Sequence, residues 1–151
     1  MVRIIDYEDR FAADFKRINM EWLTSYNLVE SHDLLVLNDP AGTIVASGGC
    51  IFLAQEDGQI IGTAGLAKSH DAQFELMKMA VTPAYRGRGI SRLLIEKCIQ
   101  EAKVRGAGKL MLYSNSQLKT AIGLYERYGF RHLPANDGPF VTADVKMELQ
   151  F

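Results

Sequence analysis

Cysteine and charge imbalance are both scarce in this chain, and each scarcity removes a class of protein. Two cysteines in 151 residues, Cys50 and Cys98, are too few for a disulfide scaffold. Both sit in apolar company, so buried free thiols are the expected state. Neither they nor His32, His70 and His132 fall at metal-ligand spacing, and no metal is expected. Lysine and arginine number 17 against 18 acidic residues, a formal net charge of −1. Such a chain lacks the broad basic surface on which counterion release drives nucleic-acid binding, so no nucleic-acid partner is expected. No apolar run approaches the roughly 20 residues that cross a bilayer, and residues 1–7 are too short and charged for a signal peptide. A cytoplasmic protein with no membrane partner is the expectation. Repeats, low-complexity tracts and linkers are missing too, which leaves residues 1–151 as a single domain.

What the chain does have is an apolar content of 48%, enough for one real core. Residues 2–7 alternate weakly and read as a first strand. Residues 9–26 place Phe11, Phe15, Ile18, Trp22 and Leu23 at spacings of three and four, the stripe of an amphipathic helix packed on a sheet. Residues 28–45 read as a short helix and a loop, because Asn38-Asp39-Pro40-Ala41-Gly42 forms turns. Residues 47–54 and 59–67 are strand-like and flank Asp57-Gly58, a hairpin signal. Gly62 and Gly65 within the second run mark a bulge or a close approach.

Residues 74–81 form the next strand. From Ile90 the pattern turns helical, with Leu94, Cys98 and Ala102 on one stripe and glycines from Gly106 to stop it. Residues 109–114 are nearly all apolar, as in a strand covered on both faces. The three together make a right-handed parallel βαβ unit. A short helix over 120–128, ended by Gly129, and strands over 130–133 and 141–149 joined by a loop at 134–139 complete the reading.

The most informative stretch is Arg86-Gly87-Arg88-Gly89-Ile90-Ser91, which lies between that strand and its helix. Gly87 and Gly89 permit backbone angles at which several N–H groups converge, and the helix opening at Ile90 adds its orphan N–H groups and positive dipole end. A phosphate fits there. The dinucleotide fingerprint fails because Arg92 stands where a third glycine is due, and no Gly-Lys-Ser/Thr follows for a P-loop.

This run resembles the acetyl-CoA loop of the GNAT-type N-acetyltransferase superfamily, Gln/Arg-x-x-Gly-x-Gly/Ala, with Ser91 in the last position. A second segment, Ala121-Ile122-Gly123-Leu124-Tyr125-Glu126-Arg127-Tyr128-Gly129-Phe130, is similar to the superfamily's Ala-x-x-Leu-Tyr-x-x-x-Gly-Phe. The asparagine that many members carry three residues before that alanine is Leu118 here, and Asn115 is the substitute contact to the cofactor. The resemblance covers about half the chain, from Phe74 to Phe130. It implies an α/β (α+β) fold with a mixed, mostly antiparallel sheet of six or seven strands, splayed at a central parallel pair and flanked by about four helices.

It also implies an acyltransferase reaction, acetyl transfer from acetyl-CoA to a primary amine of a small molecule, by direct attack in a ternary complex. Backbone groups of Met79, Ala80 and Val81 are then expected to pair with the pantetheine arm and to hold the thioester oxygen. Arg86, Gly87, Arg88, Gly89, Ile90 and Ser91 are expected at the diphosphate.

An alkylamine is mostly protonated near neutral pH and needs a base. Glu75, amid Phe74, Leu76 and Met77, is the first candidate, read either as a desolvated base or as a carboxylate ending the strand in water or a salt bridge. His70 is the reserve. Tyr125 matches the family tyrosine that protonates the leaving thiolate, with plain packing as the other reading. Lys78 is expected to face solvent or to lend general positive charge rather than to take part in the reaction. Glu30, His32 and Asp33 are candidates to hold a cationic acceptor, or else a solvated polar loop. A protein N-terminus or lysine as acceptor, and a non-catalytic acyl-CoA sensor, are the alternatives, and a homodimer is the assembly the resemblance allows.

Overall fold

Asp57 (φ 51°) and Gly58 (φ 78°) both take left-handed backbone angles, the geometry that a two-residue hairpin turn requires. Around that hairpin the sheet assembles. A computed structural model describes residues 1–70, 72–135 and 141–151. In chain order the elements are β1 (Arg3–Asp6), a 3-10 turn (Asp9–Phe11), α1 (Ala12–Ser25), α2 (Ser31–Asn38), a π-helical turn (Ala41–Val45), β2 (Cys50–Glu56), β3 (Gln59–His70) and β4 (Gln73–Val81). A 3-10 turn (Pro83–Tyr85) then leads to α3 (Ile90–Val104), β5 (Lys109–Ser114), α4 (Lys119–Arg127), β6 (Arg131–Leu133) and β7 (Val145–Gln150).

The seven strands lie in the order β1-β2-β3-β4-β5-β7-β6. Every neighbouring pair is antiparallel except β4 with β5, which α3 connects. This is the mixed sheet with a central parallel pair that the resemblance implied. No helix among the described residues is long and apolar enough to cross a membrane.

Period-two alternation sends successive strand residues to opposite faces and so builds two cores. Phe52, Leu66, Phe74 and Leu112 pack with Leu94, Ile95 and Cys98 of α3 on one face. Ile51, Leu53 and Ile60 pack with Phe15, Ile18 and Leu37 of α1 and α2 on the other. Burying each such side chain stabilises the fold by about 1.5–3 kcal/mol. Cys98 is buried and Cys50 half-buried, and both are free thiols.

Two segments differ from the sequence reading. Residues 28–45 hold two helical pieces rather than one helix and a loop, because Asp39 caps the second: its carboxylate accepts the Gly42 N–H at 3.0 Å and its carbonyl accepts the Thr43 hydroxyl at 2.7 Å. The last strand begins at Val145, since residues 141–144 turn back to contact the α1–α2 region. Part of the expected 134–139 loop lies outside the described residues.

One irregularity interrupts the sheet between β3 and β4. Thr63 pairs with Ala80 and Gly65 with Met77, so two steps along β3 face three along β4. The extra residue is Lys78, at φ 54°, a bulge in the sense of one unpaired residue that bends the strand. The alternation of β4 shifts there: Phe74 and Leu76 join the α3 core and Met77 the α1 core, after which Met79 and Val81 again face α3 while Ala80 faces α1. A Cβ at Gly65 would stand 3.1 Å from the Met77 carbonyl oxygen, a tight contact that glycine avoids where β3 runs beside the bulge.

A buried hydrogen-bond chain holds it. The Thr63 hydroxyl donates to the Lys78 carbonyl at 2.7 Å, Asn19 Nδ2 donates to Thr63 Oγ1 at 3.0 Å, and Trp22 Nε1 donates to Asn19 Oδ1 at 3.2 Å. Asn19 and Thr63 are both fully buried. Thr63→Val, nearly the same shape, removes the hydrogen bonds to the Lys78 carbonyl and from Asn19 Nδ2. It is expected to cost about 1–3 kcal/mol in urea unfolding, whereas Thr63→Ser costs less; equal stability of Val and wild type would show that the chain does not hold the strand.

Candidate active site

The parallel ladder between β4 and β5 is short, running only through Gln73 with Lys109, Phe74 with Leu110 and Glu75 with Met111. Beyond Glu75 the strands part. Leu76 to Val81 on one side and Leu112 to Ser114 on the other then border a cleft of about 810 Å³, within the size range of ligand sites. Unpaired strand edges of this kind can take up an extended ligand as a further strand would. Met79, Ala80 and Val81, expected at such an edge, all line the cleft.

At the mouth, Gly87 and Gly89 both have φ 78°. A Cβ at either would meet nothing within 4 Å, so it is backbone angle, not crowding, that calls for glycine. Gly89 precedes α3, and no side chain caps this helix start. Its first N–H groups and positive dipole end therefore open onto the cleft, an arrangement that suits a phosphate. Arg86, Gly87, Gly89, Ile90, Ser91 and Arg92 line this end. Arg88 does not: its guanidinium forms two 3.2 Å hydrogen bonds to Glu56 and lies 5.0 Å from the Tyr85 ring centroid. The residues fit a diphosphate-bearing cofactor such as CoA through backbone donors, with Arg86 and Arg92 as the cations nearby.

Asn115 borders the cleft but ties the loops together, its Nδ2 donating to the Thr142 carbonyl at 2.7 Å and its Oδ1 accepting the Gln117 N–H at 2.9 Å. Tyr125 lines the cleft from α4, buried, with its ring 5.8 Å from that of Phe130. Desolvation, with the neighbouring Cys98 adding to it, pushes its phenol well above the ordinary value, so it carries its proton at any working pH.

Glu75 lines the same cleft, half-buried. Burial raises its carboxyl from 4.5 to about 7, against the pull of the Lys78 cation. A group at that value exchanges a proton near neutrality. His70 lies elsewhere, exposed at the end of β3 beside Ser69.

Of Glu30, His32 and Asp33, only Asp33 lines the cleft. The solvated or substrate-facing trio expected from sequence is instead three separate arrangements. Glu30 accepts the N–H groups of Val141 and Thr142 at 2.8 and 2.9 Å and the Thr142 hydroxyl as well. Desolvation works against its carboxylate, yet those hydrogen bonds hold its carboxyl below the usual range. His32 sits beside it, half-exposed on α2. Asp33 accepts the Glu30 N–H at 2.8 Å, fixing the start of α2, and its other oxygen lies 2.5 Å from Lys78 Nζ. Lys78, expected in solvent, is thus buried, because the bulge turns it toward α2. Trp22 and Tyr26, spaced four apart at the end of α1, form an aromatic wall of the cleft, whereas the sequence reading assigned Trp22 to sheet packing.

Comparison with known proteins places this geometry. Residues 12–130 match the model of the acetyltransferase (GNAT) family. Human N-acetylaspartate synthetase is 35% identical over 91 residues, covering 60% of this chain and 30% of that protein. The Escherichia coli N-acetyltransferase YjgM is 33% identical over 89 residues, covering 57% of this chain and 53% of that one. The match therefore spans about half or less of these curated relatives' length. Among solved structures, a GNAT-family acetyltransferase from Staphylococcus aureus Mu50 superposes with a TM-score of 0.90 at 22% identity, covering 99% of both chains. The PaiA N-acetyltransferase of Thermoplasma acidophilum, solved in complex with coenzyme A, gives 0.80 at 18% identity, covering 100% of this chain and 99% of that one.

The raised Glu75 value has a stability signature. Its proton is bound more tightly in the folded state, so stability falls as pH rises from about 4.5 through about 7. Glu75→Gln, which cannot ionise, is expected to be more thermostable than wild type above pH 7 and to lose that advantage below pH 5; parallel melting curves across this range would mean that Glu75 titrates normally.

Proposed function

The chain belongs to the GNAT acetyltransferase family, and from that premise we propose that it transfers the acetyl group of acetyl-CoA to a primary amine of a small molecule, with both substrates in the cleft together. The observation that carries this reading is the uncapped start of α3 behind two left-handed glycines, set beside the gap where β4 and β5 part. Two free thiols fit a reducing compartment, and we place this single acetyltransferase domain in the cytoplasm.

Acetyl-CoA supplies an activated acetyl thioester. The N–H groups from Gly87 to Ser91 bind its diphosphate, and the edge of β4 from Met79 to Val81 aligns its pantetheine arm. Glu75, as carboxylate, accepts the proton of the acceptor ammonium, so the free amine attacks the carbonyl carbon. The new C–N bond forms as the C–S bond breaks, and a main-chain N–H beside the Lys78 bulge meets the negative charge on the carbonyl oxygen. Tyr125 gives its proton to the departing sulfur, which leaves as a thiol, and the acylated nitrogen sheds its surplus proton to water, from which the phenolate is reprotonated to leave a neutral amide.

Release of CoA thiol with an amine panel tests this. Tyr125→Phe is expected to lower kcat by about 10- to 1000-fold with little change in the KM for acetyl-CoA, and unchanged turnover would remove Tyr125 from the reaction. The wild-type kcat/KM is expected to climb with pH through about 7, the Glu75 value, and this limb to vanish in Glu75→Gln. Gly89→Val, strained at φ 78°, is expected to abolish CoA binding in calorimetry; full affinity would move the diphosphate site elsewhere.

A further inference from the structure

The acceptor half of the cleft carries a charge arrangement that acetyl transfer by itself does not require. It is bordered by Trp22, Tyr26 and Leu28, by Asp33 on α2, by Lys78 in the bulge and by Glu75. Lys78 Nζ lies 2.5 Å from Asp33 Oδ1, with the two side chains only 5% and 3% exposed. The positive charge on this wall is therefore matched where it stands. Glu75 adds a further carboxylate on β4, and the other cations that line the cleft lie on other elements, Arg86 and Arg92 around the start of α3 and Lys119 and Arg127 on α4.

Two main-chain donors beside this wall are likewise engaged. The N–H groups of Val141 and Thr142, next to this wall, donate to Glu30. Among the described residues, an incoming carboxylate would thus approach two carboxylates and a lysine already joined to one of them. Leaving water for such a place is costly for an anion. An ammonium gains from the same carboxylates, and an apolar body from Trp22, Tyr26 and Leu28.

Resting on the acetyltransferase reading above, we infer that the acceptor is a primary amine on an apolar body that carries no carboxylate, and that the Asp33–Lys78 pair is what turns carboxylated amines away. Lys78 comes to the wall only because the bulge places it and Met77 on the same side of β4. The bulge therefore sets acceptor choice as well as the strand edge.

The test is a thiol-release series on one carbon skeleton: 2-phenylethylamine, phenylalaninamide and phenylalanine, with aspartate as a doubly carboxylated amine. For the wild type, kcat/KM for 2-phenylethylamine is expected to exceed that for phenylalanine by about 100-fold, the size that a mismatched buried charge brings. Phenylalaninamide, equal in bulk but uncharged at that position, should stay close to 2-phenylethylamine, and aspartate should be inert. In Asp33→Asn, which keeps an acceptor for the Glu30 N–H but frees Lys78 of its countercharge, phenylalanine should gain at least tenfold relative to 2-phenylethylamine.

Wild-type turnover of phenylalanine or aspartate at the level of 2-phenylethylamine overturns the inference, as does an unchanged ratio in a folded Asp33→Asn protein. Thiol release with no amine, while calorimetry still registers CoA binding, overturns it and leaves the cofactor site standing. Absence of CoA binding overturns the acetyltransferase reading itself. If Asp33→Asn does not fold by circular dichroism, the wild-type series alone decides.

Discussion

Lys78 sits in β4 at φ 54°, its carbonyl bonded to the Thr63 hydroxyl and its ammonium to Asp33, and these contacts set which way each later residue of the strand faces. Left-handed backbone is unfavourable for a side chain of this size, so it persists only where the surroundings hold it. Here they hold it from both ends. Asn19 and Thr63 reach it from α1 and β3, while α2 supplies the countercharge. Breaking either contact leaves a buried polar group unmatched, which is more costly than the contact is favourable.

From that constraint the layout of the cleft emerges. One residue too many in β4 turns its upper end away from β5, and the parallel ladder stops at Glu75. The gap is closed at one side by the start of α3 and at the other by α1, α2 and residues 142–143. The two sides differ in charge for structural reasons. The α3 side presents main-chain donors because nothing caps the helix. The α2 side presents carboxylates because Asp33 must both cap its helix and balance Lys78. Glu75 lies along the strand between them, where withdrawal from water, opposed by the nearby Lys78 cation, brings its proton affinity close to neutrality.

Much of this was legible in the residues, and the rest was not for physical reasons. The hairpin at Asp57-Gly58, the crossover through α3 and the glycine pair at 87 and 89 are local signals, written in backbone freedom and apolar period. They read correctly because no distant contact has to intervene. The helical turn after Pro40 was missed because Asp39 and Pro40 mark a loop and a helix start equally well. Lys78 was misread because a charged residue in an apolar strand defaults to solvent, and its partner lies 45 positions away. Glu30 and Asp33 looked like a ligand set, yet a capping box has the same composition, and here it serves α2 and the 141–142 backbone. The one hint was the pairing of Gly62 and Gly65 around Thr63, which suggested a bulge in this region without saying that the neighbouring strand would carry it.

For the cleft to work in this way, β4 and the α3 start must act together on one ligand. A crystal structure of the chain with coenzyme A bound tests that most directly. It should show the diphosphate on the N–H groups of residues 87–91, with the pantetheine arm lying along Met79 to Val81 in the gap beside β5. Coenzyme A lodged on another face, or bound with its arm away from Met79 to Val81 and water along that strand edge, would contradict it.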